Sequence, residues 1–319
     1  MQYLAYEQSG QHANIIVDGV ANCGTELTLS HWPGNLTPQA LKADLSAEIV
    51  FNYLAQPDFH TTAQVVSNNH FDADGLIGIY ALLNPEEAFS LKDLLLDVAG
   101  AGDFEIYKDR DAARLSFVLD AWNNPRTSPL KASIFKESHA TLTNVLYEEI
   151  LPRFEKMIEK INSLEKFWKQ QDDLLDASEE AFGRGLFRLE ECPHLDLAIV
   201  MMPDANQPPA KAIHRMAIHN LTKCMRVLLM QETNFELYYR YETWVDYQSH
   251  KTVPRLDLQE LAESLSKQES MDGKWSFSGI NELTPALRLT GDSTSKIPFD
   301  IFRSQVLAYL TRSQSEIPI

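Results

Sequence analysis

The segment "VVSNNHFDADGLIGIYALL", residues 65–83, sets His70, Asp72 and Asp74 between two apolar runs. Side chains at i, i+2 and i+4 of an extended loop can point to one side, so the imidazole and both carboxylates can converge. Carboxylates this close repel unless one is protonated or a cation lies between them. Mixed oxygen and imidazole donors suit Mn²⁺, Mg²⁺ or iron better than a thiolate-seeking metal. Gly75 allows a tight turn into the following helix. The competing structural reading is a polar turn in which Asp74 caps that helix. A calcium-binding helix–loop–helix is excluded, because the apolar helix begins where later ligands would have to stand.

The flanking elements decide where such a cluster would sit. "NIIV" (14–17), "TELTLSHW" (25–32) and "TTAQVVS" (61–67) read as strands. Thr37-Pro38 looks like a helix start leading into "QALKADLSAEIVFNYLA". "GLIGIYALL" and "DRDAARLSFVLDAW" (109–122) read as helices. The apolar run "LLLDVA" (94–99) and the glycine-broken loop "GAGDFEIY" (100–107) read as a further strand end. Alternating strand and helix predicts a parallel sheet covered by helices, and ligand sites in such sheets lie beyond the carboxyl ends of the strands. From about 132 to 181 the texture becomes long amphipathic helix, a stripe that packs on the core or on a partner. Further on, "LDLAIVMMPD" (195–204) is a buried strand, followed by the proline-rich "ANQPPAK". Residues 225–245 form two antiparallel strands around Glu232-Thr233-Asn234, with helices at 256–268 and 299–311. The expected fold is α/β: a mostly parallel, helix-covered N-terminal domain (1–130), a helical connector (131–190), and a smaller C-terminal α+β capping domain (191–319).

The net charge of −17 opposes duplex nucleic acid and anionic membrane surfaces as partners. It leaves room for a small phosphate ester, because bound divalent ions reverse the local field. Cys23, Cys192 and Cys224 form no CxxC pair, which fits reduced thiols. The N-terminal stretch has neither the basic start nor the apolar core of a signal peptide, and no run approaches the roughly 20 residues of a membrane span. A cytoplasmic protein is expected.

"VVSNNHFDADGLIGIYAL" resembles the first motif of the DHH phosphoesterase superfamily, over residues 60 to 105. The resemblance implies that His70, Asp72 and Asp74 are metal ligands. It also implies a lone aspartate of a second motif, matched by Asp97 in "LLLDVAGAGDF" with Asp103 as the fallback, and a second domain carrying basic substrate contacts. Through "LSHWPGN", "HFDADGL", "DVAGAGDF", "YRYETWV" and "LTPAL", the whole chain is similar to an uncharacterised bacterial family of unknown function. No Asp-His-His triplet occurs, although the superfamily draws a metal ligand and a phosphate contact from it. A replacement ligand would come from His31, His60 or His194. His31 is preferred, since "LTLSHWPGN" puts it at a strand end before a Pro-Gly turn.

The reading that follows is a metal-dependent hydrolase, a DHH-like phosphoesterase acting on a small phosphorylated substrate or nucleotide. Asp72, Asp74, Asp97 or Asp103, and His70 would hold one or two Mn²⁺ or Mg²⁺ ions, and Asp72, Asp74 and His31 would serve catalysis by a metal-activated water. Arg240, Arg255 and His219 would contact the substrate, guanidinium groups gripping its anionic part in bidentate fashion. The long helices offer a homodimer surface. The alternative is a non-catalytic ligand- or protein-binding scaffold that lost the Asp-His-His element. Serine-nucleophile elbows, P-loops, dinucleotide fingerprints and HExxH helices are absent.

Overall fold

The computed structural model describes residues 1–202, 213–231, 233–269, 273–290 and 294–315. The proline-rich segment 205–211 and Glu232 of the expected turn lie outside them. The chain divides into two compact units, one comprising Met1–Asp173 with Val245–His250, the other Leu174–Trp244 with Lys251–Ile319.

The first unit is built on four strands: β1 (Gln2–Tyr3), β2 (Asn14–Val17), β3 (Thr25–Leu29) and β4 (Val65–Ser67). They form one parallel sheet in the order β1-β4-β2-β3. Ile15, Ile16, Val17, Val65 and Val66 are buried, the continuous apolar pattern of strands covered on both faces. The helices are α1 (Tyr6–Ser9), α2 (Ser46–Ala55), α3 (Ala73–Leu83), α4 (Pro85–Ser90), α5 (Lys92–Asp103), α6 (Arg110–Asn123), α7 (His139–Ile150), α8 (Phe154–Glu159) and α9 (Glu165–Gly183). The chain passes from the first unit to the second within α9.

Two sequence expectations change here. The run "LLLDVA" is not a strand but the body of α5, with Leu95, Val98 and Ala99 buried at helical spacing. Short apolar runs do not separate strand from helix by period alone. The glycines thought to break it lie inside the helix. A Cβ on Gly102 would stand 2.4 Å from that of Ala73, so glycine is what lets α5 close onto the start of α3. Thr37, expected to cap a helix, instead donates its hydroxyl hydrogen toward Thr28 O and Ser30 O, and α2 begins only at Ser46.

The second unit carries a separate mixed sheet, in the order β5 (Arg188–Cys192), β6 (Leu197–Met202), β7 (Arg226–Gln231), β8 (Asn234–Tyr239), β10 (Ala286–Leu289), β9 (Trp275–Phe277). The β7–β8 pair is antiparallel as expected, and β6–β7 is parallel. Helices α10 (Arg215–His219), α11 (Gln259–Ser266) and α12 (Phe299–Ser315) complete it. Its core is apolar and aromatic, with Phe302 stacked on both Phe235 and Trp275. The cysteines are free thiols. Among the described residues no helix is long and apolar enough to cross a membrane.

Candidate metal centre

Three strands of the first unit end side by side, and each end delivers an acid or a histidine. β2 is wholly buried and stops at Asp18, which adopts a left-handed φ of 47° that aspartate tolerates better than most residues. Gly19 follows, where a Cβ would lie 2.2 Å from Asn69 Oδ1. Glycine therefore lets this loop rest on the loop after β4, and Val20 N donates to that same oxygen. β3 is followed by Ser30 and His31. β4 is followed by Asn68, Asn69, His70, Phe71 and Asp72, which opens α3.

Asp72 is the N-cap of α3, accepting from Gly75 N at 2.8 Å. The cap is therefore Asp72 and not Asp74. Asp74 points the other way and caps a different helix: it accepts from Ser46 N at 2.7 Å and Ala47 N at 2.8 Å, at the start of α2. The positive end of α2 thus holds an entirely buried carboxylate in place. Ser46 also donates its hydroxyl hydrogen to Asp18 Oδ1 and accepts from His31 N, so one serine orients three members of the cluster.

His31 is the most informative member. Its Nδ1 lies 2.6 Å from the carbonyl of Asp44. A carbonyl only accepts, so Nδ1 carries the hydrogen and Nε2 of the neutral ring presents a lone pair. That Nε2 faces Asp18 Oδ1 at 3.3 Å, Asp103 Oδ2 at 3.5 Å and Asp74 Oδ2 at 3.8 Å. A lone pair surrounded by carboxylates is tolerable only if Nε2 is protonated or a cation stands among them. On the other side of Asp18, His70 Nε2 lies 3.2 Å from Asp18 Oδ2 and 2.6 Å from Asp72 Oδ2. Asp18 Oδ2 is buried and makes no hydrogen bond of good geometry.

Two donor groups result, Asp18–His31–Asp74 and Asp18–His70–Asp72, each able to hold a metal ion, with Asp18 common to both. Around an ion with bonds near 2.1 Å, neighbouring donors stand about 3.0–3.4 Å apart. The edges from Asp18 to His31 (3.3 Å) and to His70 (3.2 Å) match that spacing, while those from His31 to Asp103 and Asp74 are longer, 3.5 and 3.8 Å. The first group is fully buried, whereas His70 and Asp72 in the second are half-buried.

The electrostatics follow from the geometry. Burial opposes charging His31, yet Asp18 and Asp74 outweigh it and raise the ring to about 9. Burial likewise opposes His70, where Asp72 and Asp18 prevail and raise it to about 11. Burial pushes both inner carboxyls up. At Asp18 the two imidazoles overcome it and hold the group well below the usual carboxylate range. At Asp74 burial and the Asp18 charge prevail and raise it to about 7.

Of the residues singled out in the sequence, the structure brings together His31, His70, Asp72, Asp74 and Asp103. Asp97 is not with them. Its carboxylate accepts from Lys108 N and Asp109 N, tying down the loop between α5 and α6. The residue reaching His31 from the same helix is Asp103, about 1.7 turns further on. His60 is bound to Tyr53 O. Arg240, Arg255 and His219 belong to the second unit and are engaged within it. Arg240 pairs with Glu242 and donates to Thr222 O. Arg255 donates to Ile280 O, Glu282 O and Leu283 O, and His219 meets Tyr238 Oη at 3.0 Å. Sequence reasoning missed Asp18, although its signal was the one that marked His70: an acid just after a fully apolar strand. It also missed Ser46 and Asp44, which no local pattern distinguishes.

A mixed α/β unit with acids and histidines gathered at the ends of parallel strands defines the class. The chain belongs to the family of unknown function DUF6687, whose model it matches over residues 1–318. No curated protein matches it.

Proposed function

We propose that this chain is a metal-dependent hydrolase, with a small phosphate ester or nucleotide as substrate. The observation that supports it most is the placement of His31 Nε2, which faces Asp18, Asp74 and Asp103 while Nδ1 is held as a donor by the Asp44 carbonyl. Asp18 would bridge the inner and outer donor groups. When bound by these residues, a divalent ion would supply an activated water near neutral pH and offset charge on phosphoryl oxygens. The chain's own residues hold and orient: the start of α2 fixes Asp74, Ser46 fixes Asp18, and the half-buried His70 and Asp72 leave the outer group open to a substrate. The likeness of "HFDADG" to the first DHH motif points to phosphoester chemistry. With Asp97 engaged elsewhere, Asp103 takes the part that motif two would have, and His31 stands in for the missing triplet.

A second reading has its own support. Asp18, His31 and Asp74 are fully buried, a setting that suits a tightly held structural ion in a binding protein. Turnover separates the two. Purified protein loaded with Mn²⁺ is expected to cleave a generic activated phosphodiester, and Asp18→Asn to abolish it. Stoichiometric metal without turnover of any phosphate mono- or diester would favour the binding protein. Absence of metal and of turnover with every divalent ion would sink both.

A further inference from the structure

The stretch Val245–His250 lies far along the sequence, and both its chain neighbours, Trp244 and Lys251, belong to the second unit. Yet it is part of the first unit, and its contacts there fall on the supports of candidate ligands. Asp246 N donates to the carbonyl of His31 at 2.7 Å. The Asp44 carboxylate accepts from Gln248 N at 2.7 Å and Ser249 N at 2.8 Å, and from the Ser249 hydroxyl. Asp44 is the residue whose carbonyl sets the tautomer of His31. Tyr247 packs edge-on against Phe104, ring centroids 5.5 Å apart, and Phe104 is the neighbour of Asp103. The Phe104 ring also lies 6.1 Å from that of His31. Lys42 pairs with Asp246 at 2.5 Å, and the Gln248 side chain folds back on Asp246 O and Oδ1.

The segment buries Val245 and rests Tyr247 on Phe104, but it also commits three backbone amides to His31 O and the Asp44 carboxylate, with Gln248 and Ser249 themselves exposed. Its bonds grip His31 at the carbonyl and, through Asp44, at Nδ1, while Tyr247 packs on Phe104, the residue that follows Asp103.

We propose that Val245–His250 is a strap that positions His31 and Asp103, and so sets the affinity and coordination geometry of the inner metal position. The inference rests on the metal reading above. Asp44 and Tyr247 act as positioning residues. Outer partners of metal ligands change affinity by about 10–100-fold when removed.

The test uses the full chain, with Mn²⁺ affinity from titration calorimetry and the visible spectrum of the Co²⁺-loaded protein. Asp44→Ala and Tyr247→Ala are expected to weaken Mn²⁺ binding at least tenfold and to shift the Co²⁺ bands, which a merely stabilising contact would leave in place. Arg303→Ala, which removes a pair with Glu190 within the second unit, is expected to leave both unchanged. Should Asp44→Ala fail to melt cooperatively, Asp44→Asn and Ser249→Ala carry the test, with weakening of several-fold expected. Wild-type binding lost in His31→Ala but retained, with an unshifted spectrum, in the Asp44 and Tyr247 variants would overturn the strap and leave the metal reading standing. No binding by the wild type would overturn both.

Discussion

Buried charge is handled in opposite ways in the two units. In the second unit, Arg226 donates to Leu195 O and Pro254 O and lies over the ring of Tyr239. Arg240 pairs with Glu242 and with Thr222 O. Each guanidinium finds acceptors within its own unit, although the buried Nε of each makes no hydrogen bond. In the first unit, Asp18, Asp74 and Asp103 crowd around His31, and Asp18 and Asp72 around His70. Acidic groups outnumber basic ones there even with both imidazoles protonated. The contrast is one of charge: in the second unit each of these guanidinium groups has carbonyl or carboxylate acceptors at hand, whereas around Asp18 four carboxyl groups face two imidazoles.

The sharpest way to break the contrast is at its shared member. Asp18→Asn removes a donor from both groups at once, and Mn²⁺ affinity is expected to fall by at least a hundredfold in a calorimetric titration. The reverse experiment is Glu242→Ala, which strands Arg240 in the second unit. It should cost about 3–5 kcal/mol in denaturant unfolding, as removal of one partner of a buried pair does, with Mn²⁺ affinity unchanged. If Glu242→Ala weakened metal binding as Asp18→Asn does, the division of labour would be wrong.

A pH series sharpens the same point. In the metal-free protein His31 is raised to about 9 and His70 to about 11, so both rings hold protons at neutral pH. Their stabilising contribution is fully present below the ordinary histidine value near 6.5 and fades as pH rises through those raised values. An ion must displace these protons, so affinity should climb from pH 6 to pH 8. Calorimetry in buffers of different ionisation enthalpy should show proton release on binding, and proton uptake would contradict the assignment. The smallest expected effect is that of Asp97→Ala. It loses the tie to Lys108 and Asp109, about 1 kcal/mol in thermal unfolding, with no change in metal affinity.

What the sequence disclosed and what it concealed divide along physical lines. β2, β4 and α3 were legible because apolar runs and a glycine-opened helix are local signals. His70, Asp72 and Asp74 were legible for the same reason, as a dense cluster at a strand end. Asp97 misled because "LLLDVA" suits a buried strand or a helix equally, and only the packing of α5 on α3 through Gly102 decides between them. Asp18 announced itself weakly, as an Asp-Gly turn like many others. Ser46, Asp44 and the Val245–His250 strap were hidden, since contacts such as that of Gln248 with Asp44 join residues 204 positions apart.

The central claim is that Asp18 lies between two metal positions. Anomalous diffraction from crystals soaked in Mn²⁺ tests it most directly. A peak is expected within coordination distance of Asp18 and His31, with a second beside His70 and Asp72 at higher Mn²⁺. A map with no peak at the Asp18 carboxylate, and both imidazoles still hydrogen-bonded to their aspartates, would contradict it.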